Sequence, residues 1–137
     1  MNDSSRYISL FARILLSIVF LLSGVMKFAM FSQMVPLMQT KGFPLPPVSL
    51  GIAAAVEVIG ALLLITGYRA RVGAWVLFVY LIPATLVFHN FWAFQGMEQQ
   101  AQMVNFLKNL AIMGGLLMIA AFGPGKLSIG NRAAESH

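Results

Sequence analysis

Few side chains in this sequence carry chemistry, and most of them sit in or beside long apolar runs. Glu57 interrupts residues 48–66, a stretch of apolar and small side chains. Lys27 stands near the end of an earlier apolar run, and Asn105, Lys108 and Asn109 stand in the first turns of the last one. His89 and Asn90 follow a third. An ionised carboxylate at the centre of a hydrocarbon layer costs about 2.5–3.5 kcal/mol on insertion scales, so Glu57 needs a counter-charge or a proton. A lysine supplies the first, and amide and imidazole groups can hydrogen-bond a polar ligand. Two lysines against one glutamate leave the cluster neutral to positive. That suits a small anion or a polarisable oxygen such as a quinone carbonyl, and disfavours a cation.

Other chemistries are excluded by residue type. The sequence has no cysteine, so it holds no disulfide, thiolate nucleophile or cysteine-ligated metal. Its two histidines, His89 and His137, lie far apart, which argues against two-histidine haem ligation within one chain. The nine methionines read as packing and lipid contact rather than copper ligands. No metal site, no catalytic residue and no cofactor motif of the chain's own is expected.

The elements that must position the cluster follow from hydropathy. Of 137 residues, 59% are hydrophobic and 9% charged, against about 25% charged in soluble domains. A helix rising about 1.5 Å per residue needs roughly 20 apolar residues to cross a bilayer. Four runs qualify, at about 8–30, 48–66, 72–88 and 104–122. They predict a single domain over 1–137, an all-α integral membrane four-helix bundle. Residues 31–41 place Phe31, Met34, Val35 and Met38 at helical spacing, which predicts a short interfacial helix between spans one and two. Pro44, Pro46 and Pro47 then end one helix and open the next. Gly67 closes span two, Pro83 removes one rung from span three, and Gly123-Pro124-Gly125 stops span four.

The net charge of +5 suits membrane orientation rather than nucleic acid, because the cations cluster at the ends of apolar runs. Arg6, Arg13, Arg69, Arg71, Lys126 and Arg132 fall on one side, with Lys41 in the loops of the other and Lys27 and Lys108 just inside it. Both termini are therefore expected in the cytoplasm, with Arg13 as an orientation charge. Nine residues from Val48 put Glu57 roughly 14 Å deep. On span one Arg13, Ser17, Phe20, Gly24 and Lys27 share a face at helical spacing. Together these depths predict a polar pocket opening to the outer side and lined by Lys27, Glu57, His89, Asn105, Lys108 and Asn109. The competing reading is structural: Glu57 and a lysine as an ion pair that only fixes helix register.

The pattern Arg13, Ser23-Gly24-x-x-Lys27-Phe28, Gly42-x-Pro44-x-Pro46, Glu57 with Gly60, Gly67, Phe88-His89, Lys108-Asn109-Leu110 and Gly123-Pro124-Gly125-x-x-Ser128 resembles the DoxX family of small four-helix membrane proteins. The match runs from Arg13 to Ser128. One departure is Gly130, where many members carry aspartate. The resemblance implies a multi-pass protein of the bacterial inner (plasma) membrane, associated with a membrane-bound redox complex. A quinone or a small oxyanion would then be the ligand of the outer pocket, and separate partner subunits would carry the electron-transfer cofactors. A homo-oligomer in the lipid bilayer is a further expectation, although no interface is readable. Two other functions compete. One is a proton-coupled small-molecule transporter using Glu57. Small multidrug exporters are similar in size and span count, but carry their glutamate in the first span. The other is a structural or assembly protein with no ligand.

Overall fold

The structure, a computed structural model, describes residues 3–130. Arg132 and His137, placed above on the cytoplasmic side and in a polar tail, lie outside the described residues. Within them the chain forms α1 Asp3–Ala29, α2 Phe31–Thr40, α3 Pro46–Thr66, α4 Ala70–Phe88, a short 3-10 turn Phe91–Ala93 and α5 Gly96–Phe122. The helices α1, α3, α4 (with its continuation to Ala93) and α5 are long and apolar enough to cross a membrane. The all-α architecture with four membrane-length helices is the one the apolar runs predict.

Helix limits differ from the apolar runs where polar residues join a helix. α1 begins at Asp3 because the polar stretch before Ile8 is itself helical, with Arg6 Nη1 3.1 Å from Asp3 Oδ1 across its first turn. α5 begins at Gly96 rather than near 104, so its first two turns carry Glu98, Gln99, Gln100 and Gln102. Glutamine and glutamate are good helix formers, and hydropathy alone does not see them. α2 is ten residues long despite Pro36 within it. α3 opens on Pro46 and Pro47, whose absent N–H groups would lack partners in a first turn anyway.

The helices pack α1 on α3, α3 on α4 and α4 on α5, with α2 resting on α3; α1 and α5 meet only sparsely. Phe20, Ala61, Leu64, Ala70, Ala74, Leu77, Leu81 and Leu116 form the core. Small residues set the helix distances, as expected where apolar lipid offers helices no solvent-driven reason to associate. A Cβ on Gly60 would stand 2.6 Å from Leu77 Cγ, and one on Gly24 2.7 Å from Val58 Cγ2. The buried residues of α1 are Arg13, Ser17, Phe20 and Gly24, the face that their spacing predicts.

The two ends of the bundle are built differently. At one end Gly67 (φ +73) ends α3, and Arg69 (φ +45) starts α4 after only residues 67–69. The segment 123–130 folds back onto this turn, where a Cβ on Gly67 would collide with Ser128. At the other end the loop after α2 docks on the last turn of α4. Phe43 stacks on Phe88 at 5.5 Å between centroids, and Lys41 Nζ donates to the Val87 carbonyl at 3.3 Å.

Candidate functional site

Glu57 sits near the middle of α3 and is 4% exposed. Lys27, two positions from the end of α1, reaches across to it. Lys27 Nζ donates to Glu57 Oε2 at 2.9 Å, to Glu57 Oε1 at 3.0 Å and to Ser23 Oγ at 2.8 Å. An ammonium has three N–H bonds, and these three acceptors match them. Tyr80 of α4 adds a third helix: its hydroxyl donates to Glu57 Oε1 at 2.8 Å. One carboxylate therefore ties α1, α3 and α4 together, with its charge balanced by one lysine.

Two cavities adjoin this cluster. The first, about 380 Å³, is lined mainly by apolar side chains, among them Met34, Met38, Phe43, Leu50, Pro83 and Phe88. The second, about 180 Å³, carries Ser23, Glu57, His89 and Asn109. Lys27, Met34, Tyr80, Ala84 and Phe88 line both, so the cluster stands at their common wall.

Of the six residues expected to line a pocket, the structure brings four together: Lys27, Glu57, His89 and Asn109. His89 is held through its Nδ1–H, which donates to Gln102 Oε1 at 2.9 Å. Asn109 Nδ2 donates to Thr85 Oγ1 at 3.0 Å, linking α5 to α4. The other two are not at this cluster. Lys108 is exposed on α5, Asn105 is half-buried, and neither lines either cavity. Asn109 faces α4, and a one-residue step around a helix is about 100°, which carries Lys108 to the outside. The cluster consequently holds one cation and one anion, and the surplus positive charge expected from two lysines is absent from it.

Tyr80 is a site residue that the charge pattern did not reveal. Its signal was available, because a phenol in mid-span needs a hydrogen-bond partner. Arg13 is corrected more strongly. It is 1% exposed, so it is no simple orientation charge. Its Nη1 donates to the carbonyls of Leu64 at 2.9 Å and Ile65 at 3.3 Å, and its Nη2 to that of Leu127. The planar fork of a guanidinium satisfies carbonyls at the C-terminus of α3, where the helix dipole favours a cation. Ser17 Oγ donates to the Arg13 carbonyl at 2.6 Å one turn away.

Comparison with known proteins places these residues in context. A family model described as DoxX matches residues 8–90, which include Arg13, Lys27, Glu57, Tyr80 and His89. Inner membrane protein YphA of Escherichia coli K12 is 32% identical over 123 residues, 90% of this chain and 88% of that protein. Inner membrane protein YqjF of the same organism is 33% identical over 123 residues, 88% of this chain and 87% of that protein. The ER-derived vesicles protein ERV29 of Saccharomyces cerevisiae is 28% identical over 72 residues, 53% of this chain and 23% of that protein. No solved structure matches the chain.

Proposed function

The chain belongs to the DoxX family, and from that footing we propose that it is an inner-membrane subunit that binds the head of a quinone for a redox complex. The electron-transfer cofactors would reside on a separate partner protein. One observation carries the reading: the bonded Lys27–Glu57–Tyr80 cluster stands between an apolar chamber and a polar one. Such paired chambers suit an amphiphile with a small oxygenated head and a long apolar tail: the apolar chamber, about 380 Å³, is of ordinary ligand-site size, and the polar one, about 180 Å³, is smaller. Asn109 lines the polar chamber and keeps a second amide N–H, beyond the one bonded to Thr85, to offer a carbonyl oxygen, while the Nδ1–H of His89 is taken by Gln102. A small anion has less support, because the N–H bonds of Lys27 are already matched by acceptors.

We place both termini in the cytoplasm. Arg6, Arg13, Arg69, Arg71 and Lys126 gather at the end where the termini lie, against Lys27, Lys41 and Lys108 toward the other. The polar chamber then opens nearer the outer leaflet. The transporter reading loses ground to the same cluster. A proton-carrying glutamate must exchange with water, whereas Glu57 is buried and paired.

A structural helix lock is the second reading, favoured by the completeness of the bonds to Glu57. The test is native mass spectrometry of the protein extracted in mild detergent, with quinone extraction of the same sample. It compares wild type with Ala84→Trp, which fills the wall shared by both chambers. Quinone bound to wild type and lost in Ala84→Trp, with unfolding temperature retained, supports the site. Repeated isolation with neither quinone nor partner, together with collapse of Glu57→Gln, leaves the helix lock.

A further inference from the structure

The basic end holds a second built feature, independent of the two chambers. A cleft of about 330 Å³ runs between α1 and α5, where these helices meet sparsely, lined by Ser9, Arg13, Leu16, Met118, Phe122 and Gly123 among others. Arg13 is almost wholly buried, and its Nε–H has no hydrogen-bond partner. The Arg71 guanidinium, though not part of that lining, approaches it at Gly123, 3.3 Å from where a Cβ on that glycine would stand. Lys126 is exposed beside it in sequence. Among the described residues no carboxylate pairs with Arg13, Arg69, Arg71 or Lys126. The carbonyls at the end of α3 offset only part of a unit charge, since a helix end carries about half of one.

We propose that this cleft seats an anionic phospholipid, with its phosphate held by the exposed Arg71 beside Gly123 and attracted by the buried charge of Arg13. One acyl chain lies along Leu16, Met118 and Phe122. The phosphate supplies the negative charge that none of these cations pairs with among the described residues, and a guanidinium matches phosphate oxygens in a forked geometry. Apolar walls below the cations distinguish a lipid seat from a site for a free anion. A basic pocket between membrane helices is the kind of surface on which acidic headgroups collect.

The test uses the full chain in detergent with equimolar phosphatidylglycerol and phosphatidylcholine of matched chains, read by native mass spectrometry. Phosphatidylglycerol should be retained preferentially on wild type. Arg71→Gln, an exposed position, should reduce that retention about fivefold, the effect of one cation near a charged headgroup. Gly115→Leu keeps every charge but fills the cleft beside Leu16, and should reduce it as well. Lys108→Gln, an exposed cation toward the other end, should leave it unchanged. Thermal stabilisation by phosphatidylglycerol, present in wild type and absent in Arg71→Gln, checks the same point should Gly115→Leu fold poorly. Equal retention of the two lipids overturns the proposal. So does preference unaltered in folded Gly115→Leu, which would mean charge attraction without a seat. Displacement of the lipid by millimolar inorganic phosphate would instead identify a free-anion site.

Discussion

Gly24 on α1 lies directly against Glu57 on α3: a Cβ at position 24 would stand 3.2 Å from the Glu57 Cβ. This crossing, one turn before Lys27, is what lets a lysine on one helix meet a carboxylate on the other. Gly24→Leu should therefore separate α1 from α3 and break the ion pair together. A loss of about 1–3 kcal/mol is the usual cost of overpacking. Thermal unfolding in detergent would read it, and an unchanged unfolding temperature would refute the crossing.

Removing either partner of the pair leaves the other without its counter-charge inside the bundle, with only a neutral hydroxyl beside it, Ser23 for Lys27 or Tyr80 for Glu57. Lys27→Met and Glu57→Gln should each cost about 3–5 kcal/mol. The double variant should recover part of that loss, because no uncompensated charge remains. A double-mutant cycle measures this coupling; strictly additive losses would mean that the two residues do not interact.

Tyr80→Phe removes one hydrogen bond to a charged group and leaves the ion pair in place. About 1.5–3 kcal/mol is expected, less than for loss of Lys27. The two variants compared in one chemical-unfolding series would reveal their order, and the reverse order would contradict the geometry.

Lys108 faces outward on α5. Its replacement by alanine should change stability by no more than about 0.5 kcal/mol, as for ordinary surface positions, and leave the proposed quinone binding intact. Calorimetric titration of Lys108→Ala beside Lys27→Ala gives the contrast. A binding defect in Lys108→Ala would return this lysine to the site.

Arg13→Lys keeps the charge but loses the fork. A single ammonium should not span the Leu64, Ile65 and Leu127 carbonyls together, so segment 123–130 should loosen. Limited proteolysis from the C-terminal side should cut this variant several-fold faster than wild type, in line with a lost charged hydrogen bond of about 1.5–3 kcal/mol. Equal cleavage rates would show that the segment is held by other contacts.

Much of the fold was legible because long apolar runs and proline clusters admit few alternatives. The buried face of α1 was legible too, since Arg13, Ser17 and Gly24, polar or small among bulky neighbours, recur at helical spacing with Phe20. The far side of the cluster was harder. α5 carries apolar residues all round, so no stripe marks its inward face, and Asn109 and Lys108 look equivalent in sequence. Tyr80 carries no charge, so the charge pattern passed over a mid-span phenol whose hydroxyl needs a partner. Arg13 was ambiguous because its acceptors are backbone carbonyls, which every sequence contains and none displays. The first turns of α5 were missed because hydropathy records where lipid begins rather than where a helix does.

The placement of Arg13 and Lys27 on one helix has a bearing on biogenesis. α1 leaves the ribosome first, carrying both cations, while every partner of either one outside α1 lies in α3 or beyond: Glu57, the carbonyls of Leu64 and Ile65, and that of Leu127. A lone α1 in lipid would hold two unneutralised charges, each costly in hydrocarbon. The helix therefore gains its full membrane compatibility only when α3 arrives as its mate. Inside the bilayer the Lys27 charge is matched only with α3 beside α1, and the carbonyl of Leu127 completes the acceptors around Arg13.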